Sequence, residues 1–147
     1  KNAGMYRISI RTGRRCDIVD ITPSIRTYLR EIGAESGTVT VFCPHTTAGL
    51  TVNENADPDV RRDLNAFLNR AIPREGDYAH SEGNSDAHIK STLTNSAQVL
   101  IVEGGEVMLG TWQGIFFMEY DGPRSREVWL QFTGGRTAAP RREGVGR

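Results

Sequence analysis

The chain has little of several things, and each shortage excludes something. It has two cysteines, Cys16 and Cys43, far apart and in apolar or strand-like settings. They match neither a metal ribbon nor a redox pair, and a disulfide framework is excluded as the source of stability. Cys43, in "TVFCPH", reads as a small buried side chain. There is no excess of either charge: 18 basic and 18 acidic residues give a formal net charge of zero. No global field therefore points to nucleic acid or an anionic membrane. No run of about 20 apolar residues is present, so neither a membrane span nor a secretory apolar region is read. A reduced cytoplasm is the default setting. Histidine is also scarce, with three in 147 residues, and two of these lie eight positions apart in "DYAHSEGNSDAHIKS".

What is present fits one ordinary domain, with 37% hydrophobic and 24% charged residues. "MYRISIRT" (5–12) alternates as a half-buried strand, and "CDIVDI" (16–21) reads as its hairpin partner across Gly-Arg-Arg. Thr22 reads as an N-cap, Pro23 as the first helical residue and Gly33 as the stop. "GTVTVFC" (37–43) and "GLTVNEN" (49–55) read as strands. Asp57 caps a second helix, whose stripe is Val60, Leu64, Phe67 or Leu68, and Ile72. Residues 73–85 form a long polar loop of the kind that often carries function. Asp86 reads as the cap of a short helix over 87–93. Segments 97–103, 106–110, 111–121 and 126–134 read as consecutive strands, with Gly104-Gly105 as a hairpin turn. "WQGIFFMEY" is apolar on both faces, so it is expected to be a central, doubly covered strand. The expectation is α+β: a single domain over 1–134, with a strand-rich body, two or three inserted helices and a flexible tail over 135–147.

Three sets of residues suit chemistry. His45, His80 and His88 all sit at element ends, where sites are built. Three imidazoles plus water is an open zinc geometry, set against three isolated hydrogen-bonding histidines. Glu54 and Glu119 suit a general base, a partner to a ligating histidine or a magnesium ligand. Gly83, Asn84 and Ser85 precede a helix, where backbone N–H groups hold anions; Lys90 and Ser91 lie close behind, and Arg124 and Arg126 flank "DGPRSR". Against these stand solvated arginines, Asp121 as a turn residue, and Trp112 in a core or an interface.

"PHTTAGLTVNENADPDVRRDL", "HSEGNSDAHIKS" and "LGTWQGIFFMEYDGPRSREVWLQFTG" together resemble the YjbQ-like family, over about residues 5–134. That resemblance implies a β-sandwich-like α+β body assembled as a homotrimer. It also implies a secondary thiamine-phosphate synthase activity, joining a pyrimidine pyrophosphate to a thiazole phosphate with release of pyrophosphate. The family pattern falls on His45, Asn53, Glu54, His80, Gly83, Asn84, Ser85, Asp86, His88, Gly110, Thr111, Trp112, Gln113, Glu119, Asp121 and Arg124. The expected sites are therefore His45, Glu54 and Glu119 for catalysis and His45, His80 and His88 for a metal. Asn53, Gly83, Asn84, Ser85, Lys90, Ser91, Thr111, Gln113, Arg124 and Arg126 are expected to hold a phosphorylated substrate. Zinc suits three histidines; magnesium suits the synthase reaction. The alternatives are a non-catalytic binder of a metal or phosphometabolite, and a metal-dependent hydrolase. No nucleic-acid or membrane partner is expected.

Overall fold

A computed structural model describes residues 4–137. The order is β1 (Tyr6–Arg11), β2 (Asp17–Asp20), α1 (Thr22–Glu31), β3 (Ala34–Phe42), β4 (Ala48–Glu54), α2 (Pro58–Ala71), α3 (Ser85–Leu93), β5 (Ala97–Glu103), β6 (Glu106–Val107), β7 (Gln113–Glu119) and β8 (Ser125–Arg136). Two antiparallel sheets face each other, ordered β1-β8-β3-β5-β6 and β2-β7-β4. The α+β class expected from the pattern, and the sandwich that the family resemblance implies, are what forms, with three helices.

The main core lies between the sheets. Alternation along β3 and β8 turns Val39, Val41, Val128, Leu130 and Phe132 inward against Leu50, Ile115 and Phe117 of the smaller sheet. Ile25, Tyr28 and Leu29 of α1 enter the same core. β7 is the central strand of its sheet and is buried at every position after Gln113. Its second face, Phe116 and Met118, packs with Tyr120 against Ala87 of α3 and the half-buried Leu68 of α2. This double coverage is why that segment lacks a polar face. Among the described residues, no helix is long and apolar enough to cross a membrane.

Several expectations need correction. β1 and β2 are not a hairpin: they join different sheets, β1 beside β8 and β2 beside β7. The loop between them turns a corner of the sandwich, which period-2 alternation cannot reveal. Thr22 is the first residue of α1, not its cap. Its N–H donates to Asp20 Oδ1 at 2.9 Å, and its hydroxyl accepts from Ile115 N–H at 2.8 Å. The strand expected over 106–110 stops at Val107, and the next begins at Gln113, leaving Thr111 and Trp112 in the turn between. Trp112 is 64% exposed and so is not a core residue of this chain. β8 runs through Arg136, past the expected boundary at 134. The rest of the expected tail, 138–147, lies outside the described residues.

Asp57 does cap α2, accepting from Asp59 N–H at 2.9 Å with Pro58 behind it. Asp57→Ala is expected to cost about 1 kcal/mol, the usual value of such a cap, as a lowered urea midpoint with an unchanged slope. An unchanged midpoint would mean that α2 does not need this cap.

Candidate functional site

The site forms where three segments meet at one end of the sandwich. β3 ends at Phe42, and Pro44, with no N–H to donate, stops sheet pairing just before His45. The 120–124 turn joins β7 to β8, and the loop before α3 closes the third side. Pro44, His45 and Thr47, with Asn84, Asp121 and Arg124, line a cleft of about 330 Å³ that Glu82, His88 and Arg126 complete.

Beneath the cleft, Glu119 and Arg126 form a buried ion pair. The strand alternation that sends Val128 and Leu130 into the core sends Arg126 inward too, where it meets Glu119 from the facing sheet. Arg126 Nε donates to Glu119 Oε1 at 2.9 Å, and Nη2 donates to Oε2 and to Thr47 Oγ1 at 2.8 Å. Thr12 Oγ1 donates to Glu119 Oε1 at 2.8 Å, and the N–H groups of Tyr120 and Asp121 reach Oε2 at 3.1 and 3.3 Å. Glu119 is wholly buried with both oxygens occupied, so the expected role of base is replaced by that of holding Arg126 in place.

His45 stands edge-on to Phe117 and takes Glu127 N–H on Nε2 at 3.0 Å, with the Glu127 carbonyl 3.1 Å from the same nitrogen. Burial lowers its pKa below the ordinary histidine value, and the Arg126 charge lowers it further. The ring is therefore neutral at neutral pH. Nε2 meets both backbone groups of Glu127, accepting from its N–H in one tautomer and donating to its carbonyl in the other.

A second buried network lies under α3. Asp86 is wholly buried and receives Arg15 Nη1 and Nη2, both at 2.9 Å, and Lys90 Nζ at 3.0 Å. Asp86 is thus not a helix cap; Asn84 occupies that position. Burial alone would raise the Asp86 pKa, but the bonds from Arg15 and Lys90 outweigh it and bring it down to about 2. Lys90 is 1% exposed and also reaches Asn69 Oδ1 at 2.7 Å, so it is withdrawn from the expected phosphate set. Ser91 is withdrawn for the same kind of reason, since its hydroxyl donates to the Ala48 carbonyl at 2.7 Å.

Of the expected residues, the cleft brings together His45, His88, Asn84, Arg124 and Arg126. Asn84 Nδ2 and Arg124 Nη2 both donate to Asp121 Oδ2, at 2.9 and 3.1 Å, while Asn84 Oδ1 is buried without a partner. Gly83, with φ of 75°, carries the chain into α3 in a conformation that favours glycine, and Ser85 is buried in the first turn. Asn53, Glu54, Thr111 and Gln113 lie elsewhere. Ala48 pairs with Glu119 at the cleft end of the sheet and Glu54 with Gln113 at the other, six steps along β4 or about 20 Å. His80 and His88 meet edge to face, with centroids 5.4 Å apart, around a separate mainly apolar cavity of about 390 Å³. Among the described residues, no three His, Cys, Asp or Glu side chains converge to hold a metal ion. The expected three-histidine ligand set is thus not assembled among the described residues of one chain.

A model of the family described as UPF0047 protein YjbQ-like matches residues 6–135. The chain belongs to the YjbQ-like family. Its relatives include UPF0047 protein MJ1081 of Methanocaldococcus jannaschii, 47% identical over 90% of this chain and 96% of that one. UPF0047 protein YugU of Bacillus subtilis is 45% identical over 86% and 97%. The crystal structure of a YjbQ/UPF0047-family protein from Clostridium acetobutylicum superposes with a TM-score of 0.85 at 49% identity, covering 87% of this chain and 99% of that one. Hypothetical protein APE1520 from Aeropyrum pernix gives 0.86 at 35%, over 90% and 100%. The YjbQ-like sequence thus carries its fold over nearly its whole length.

Reading the YjbQ-like sequence alone missed Arg15, Thr12 and Thr47, and took Asp86 for a cap. The spacing of Asp86 and Lys90, four apart on a helix, is a signal for their pair. Nothing local marks Arg15 as their partner, because 71 positions separate it from Asp86.

Proposed function

We propose that this chain binds a phosphorylated small molecule in the cleft at His45, and that its reaction is the joining of a pyrimidine pyrophosphate to a thiazole phosphate. The observation that supports binding is the grouping at one cleft of the Arg124 and Arg126 guanidiniums with His45. In that reaction the bond from the pyrimidine methylene carbon to the pyrophosphate oxygen breaks, its electron pair leaving with pyrophosphate. The thiazole nitrogen then donates its lone pair to form the new C–N bond. Arg124 and the His45 ring are assigned to the departing pyrophosphate, where negative charge grows. Arg126, held by Glu119, supplies a fixed positive charge behind them. The family resemblance supplies the name of the reaction, and the arginine–histidine cleft supplies a place for its leaving group.

The competing reading is a non-catalytic phosphometabolite binder. It is favoured by the state of the nearby carboxylates: Glu119 is saturated, and Asp121 is shared by Arg124 and Asn84. Turnover separates the two. Formation of thiamine phosphate from the two substrates, abolished by His45→Ala, supports the synthase. Pyrophosphate binding without product, under every divalent-metal condition tried, supports the binder. Arg124→Ala is expected to weaken pyrophosphate binding by about 1.5–3 kcal/mol, the range for hydrogen bonds to a charged group. Equal affinity in titration calorimetry would remove Arg124 from the site.

The same proposal extends to assembly as a homotrimer. The outer face of the larger sheet carries Phe42, Val99 and Ile101, which are 38%, 66% and 63% exposed. Apolar side chains grouped in this way are a usual surface for another copy. In such an assembly a neighbouring copy is the route by which Asn53, Glu54, Thr111 and Gln113 would reach a cleft.

A further inference from the structure

A second basic cavity lies between the β1–β2 loop and α2 and shares no lining residue with the cleft at His45. Arg14, Ile18, Pro58, Arg61, Arg62 and Asn65 line about 400 Å³ there. Three of the six residues are arginines and none is acidic, in a chain whose net charge is zero. α2 builds most of it. Arg61 and Asn65 are four apart and share one helix face, and Pro58 and Arg62 share the neighbouring face about 100° round. The loop before β2 contributes Arg14.

The three guanidiniums are not equally engaged. Arg14 Nη2 meets Asp17 Oδ1 at 3.4 Å, with Arg14 mostly exposed. Among the described ion pairs, Arg61 and Arg62 have no carboxylate partner. The Arg61 guanidinium lies over the Phe116 ring, 5.2 Å from its centroid, so it is oriented by a buried aromatic and not left to wander. Its Nε is buried without a hydrogen-bond partner. A buried donor of this kind calls for an acceptor, and an oriented guanidinium is well suited to two oxygens of a phosphate.

We propose that this cavity is a second anion site, which takes a small molecule carrying a diphosphate group. Arg61 and Arg62 hold its oxygens, Arg14 swings from Asp17 onto them, and Ile18 and Pro58 form an apolar wall for an attached organic group. Two charged phosphates match three arginines better than a single carboxylate does. The site is separate from the cleft at His45 and stands whether or not that cleft binds pyrophosphate.

The test uses the full chain with its arginines labelled at nitrogen, titrated with inorganic pyrophosphate and, separately, with ADP at the same ionic strength. The Arg61 Nε–H resonance is expected to shift saturably with both probes. ADP is expected to bind more tightly if the apolar wall takes its organic half. The double variant Arg61→Gln/Arg62→Gln is expected to lose at least about tenfold in affinity at this site. Arg124→Ala, which touches only the other cleft, leaves the Arg61 shift in place. An Arg61 resonance unmoved at saturating pyrophosphate overturns the proposal even if the double variant fails to fold. So does a folded double variant with unchanged affinity and an unchanged number of sites.

Discussion

Asp86→Asn is expected to destabilise the chain by about 3–5 kcal/mol at neutral pH, the cost of leaving buried charge without its partner. Two cations converge on this carboxylate: Arg15 through a bidentate contact, with Asp121 a more distant second partner at 3.9 Å, and Lys90, which is almost wholly buried. The asparagine keeps the shape and an acceptor oxygen but not the charge, so packing loss contributes little. The pH dependence identifies the cause. Asp86 is held at about 2, below the ordinary aspartate value of 3.8. A lowered acid pKa gives stability that is fully present above the unfolded value and is lost as pH falls through the folded one. Over that interval the linkage amounts to roughly 2–3 kcal/mol. The native chain should therefore lose stability between about pH 4 and pH 2 more steeply than the Asn variant. Parallel curves from urea melts at each pH would show that Asp86 is not the titrating group. Lys90→Met alone should cost less than Asp86→Asn, because it leaves the Arg15–Asp86 pair intact.

What could be read from the sequence divides along the range of the interactions. Local signals held: proline at the start of α1 and α2, Asp57 as a cap, Gly33 as a stop and Gly104-Gly105 as a turn. The double coverage of β7 was legible because a strand apolar on both faces has no other solution in water. Non-local pairing was not. Neither the separation of β1 from β2 into two sheets nor the reach of Arg15 to Asp86 leaves a mark within a short window. The site shows the same division. "CPH" placed His45 at a strand end correctly. But Lys90, Ser91 and Glu119 look identical in sequence whether they face a ligand or the interior. Only packing shows that Lys90 spends its charge on Asp86 and that Glu119 has no free oxygen. Asn53 and Glu54 adjoin the site in family motif but stand at the far end of the sheet, because a strand carries its residues away at about 3.3 Å per step.

Glu119→Ala supplies the sharpest contrast between a structural and a chemical role, and is expected to cost about 3–5 kcal/mol. The change strands Arg126, which is 6% exposed and whose one ion-pair partner among the described residues is Glu119. It also empties the acceptor of Thr12 and of two backbone N–H groups. For a chain of this size the thermal midpoint should fall on the order of 10 °C. Arg126→Met in the same background removes the stranded charge and keeps most of the volume. It should therefore recover a large part of the loss, a coupling that a double-mutant cycle measures directly. A residue acting only as a base predicts the reverse pattern: an unchanged midpoint, no recovery in the double variant, and loss confined to turnover. The pair also bears on the cleft. Arg126 lies between two surfaces, lining both the polar cleft with Arg124 and a larger cavity of about 630 Å³ beside Trp129. If Glu119 fixes Arg126 for a ligand, then the Glu119→Ala/Arg126→Met chain should be stable enough to assay and yet bind pyrophosphate more weakly than the native chain. Restored stability with undiminished binding would confine this ion pair to the architecture and leave Arg124 and His45 as the groups that meet the ligand.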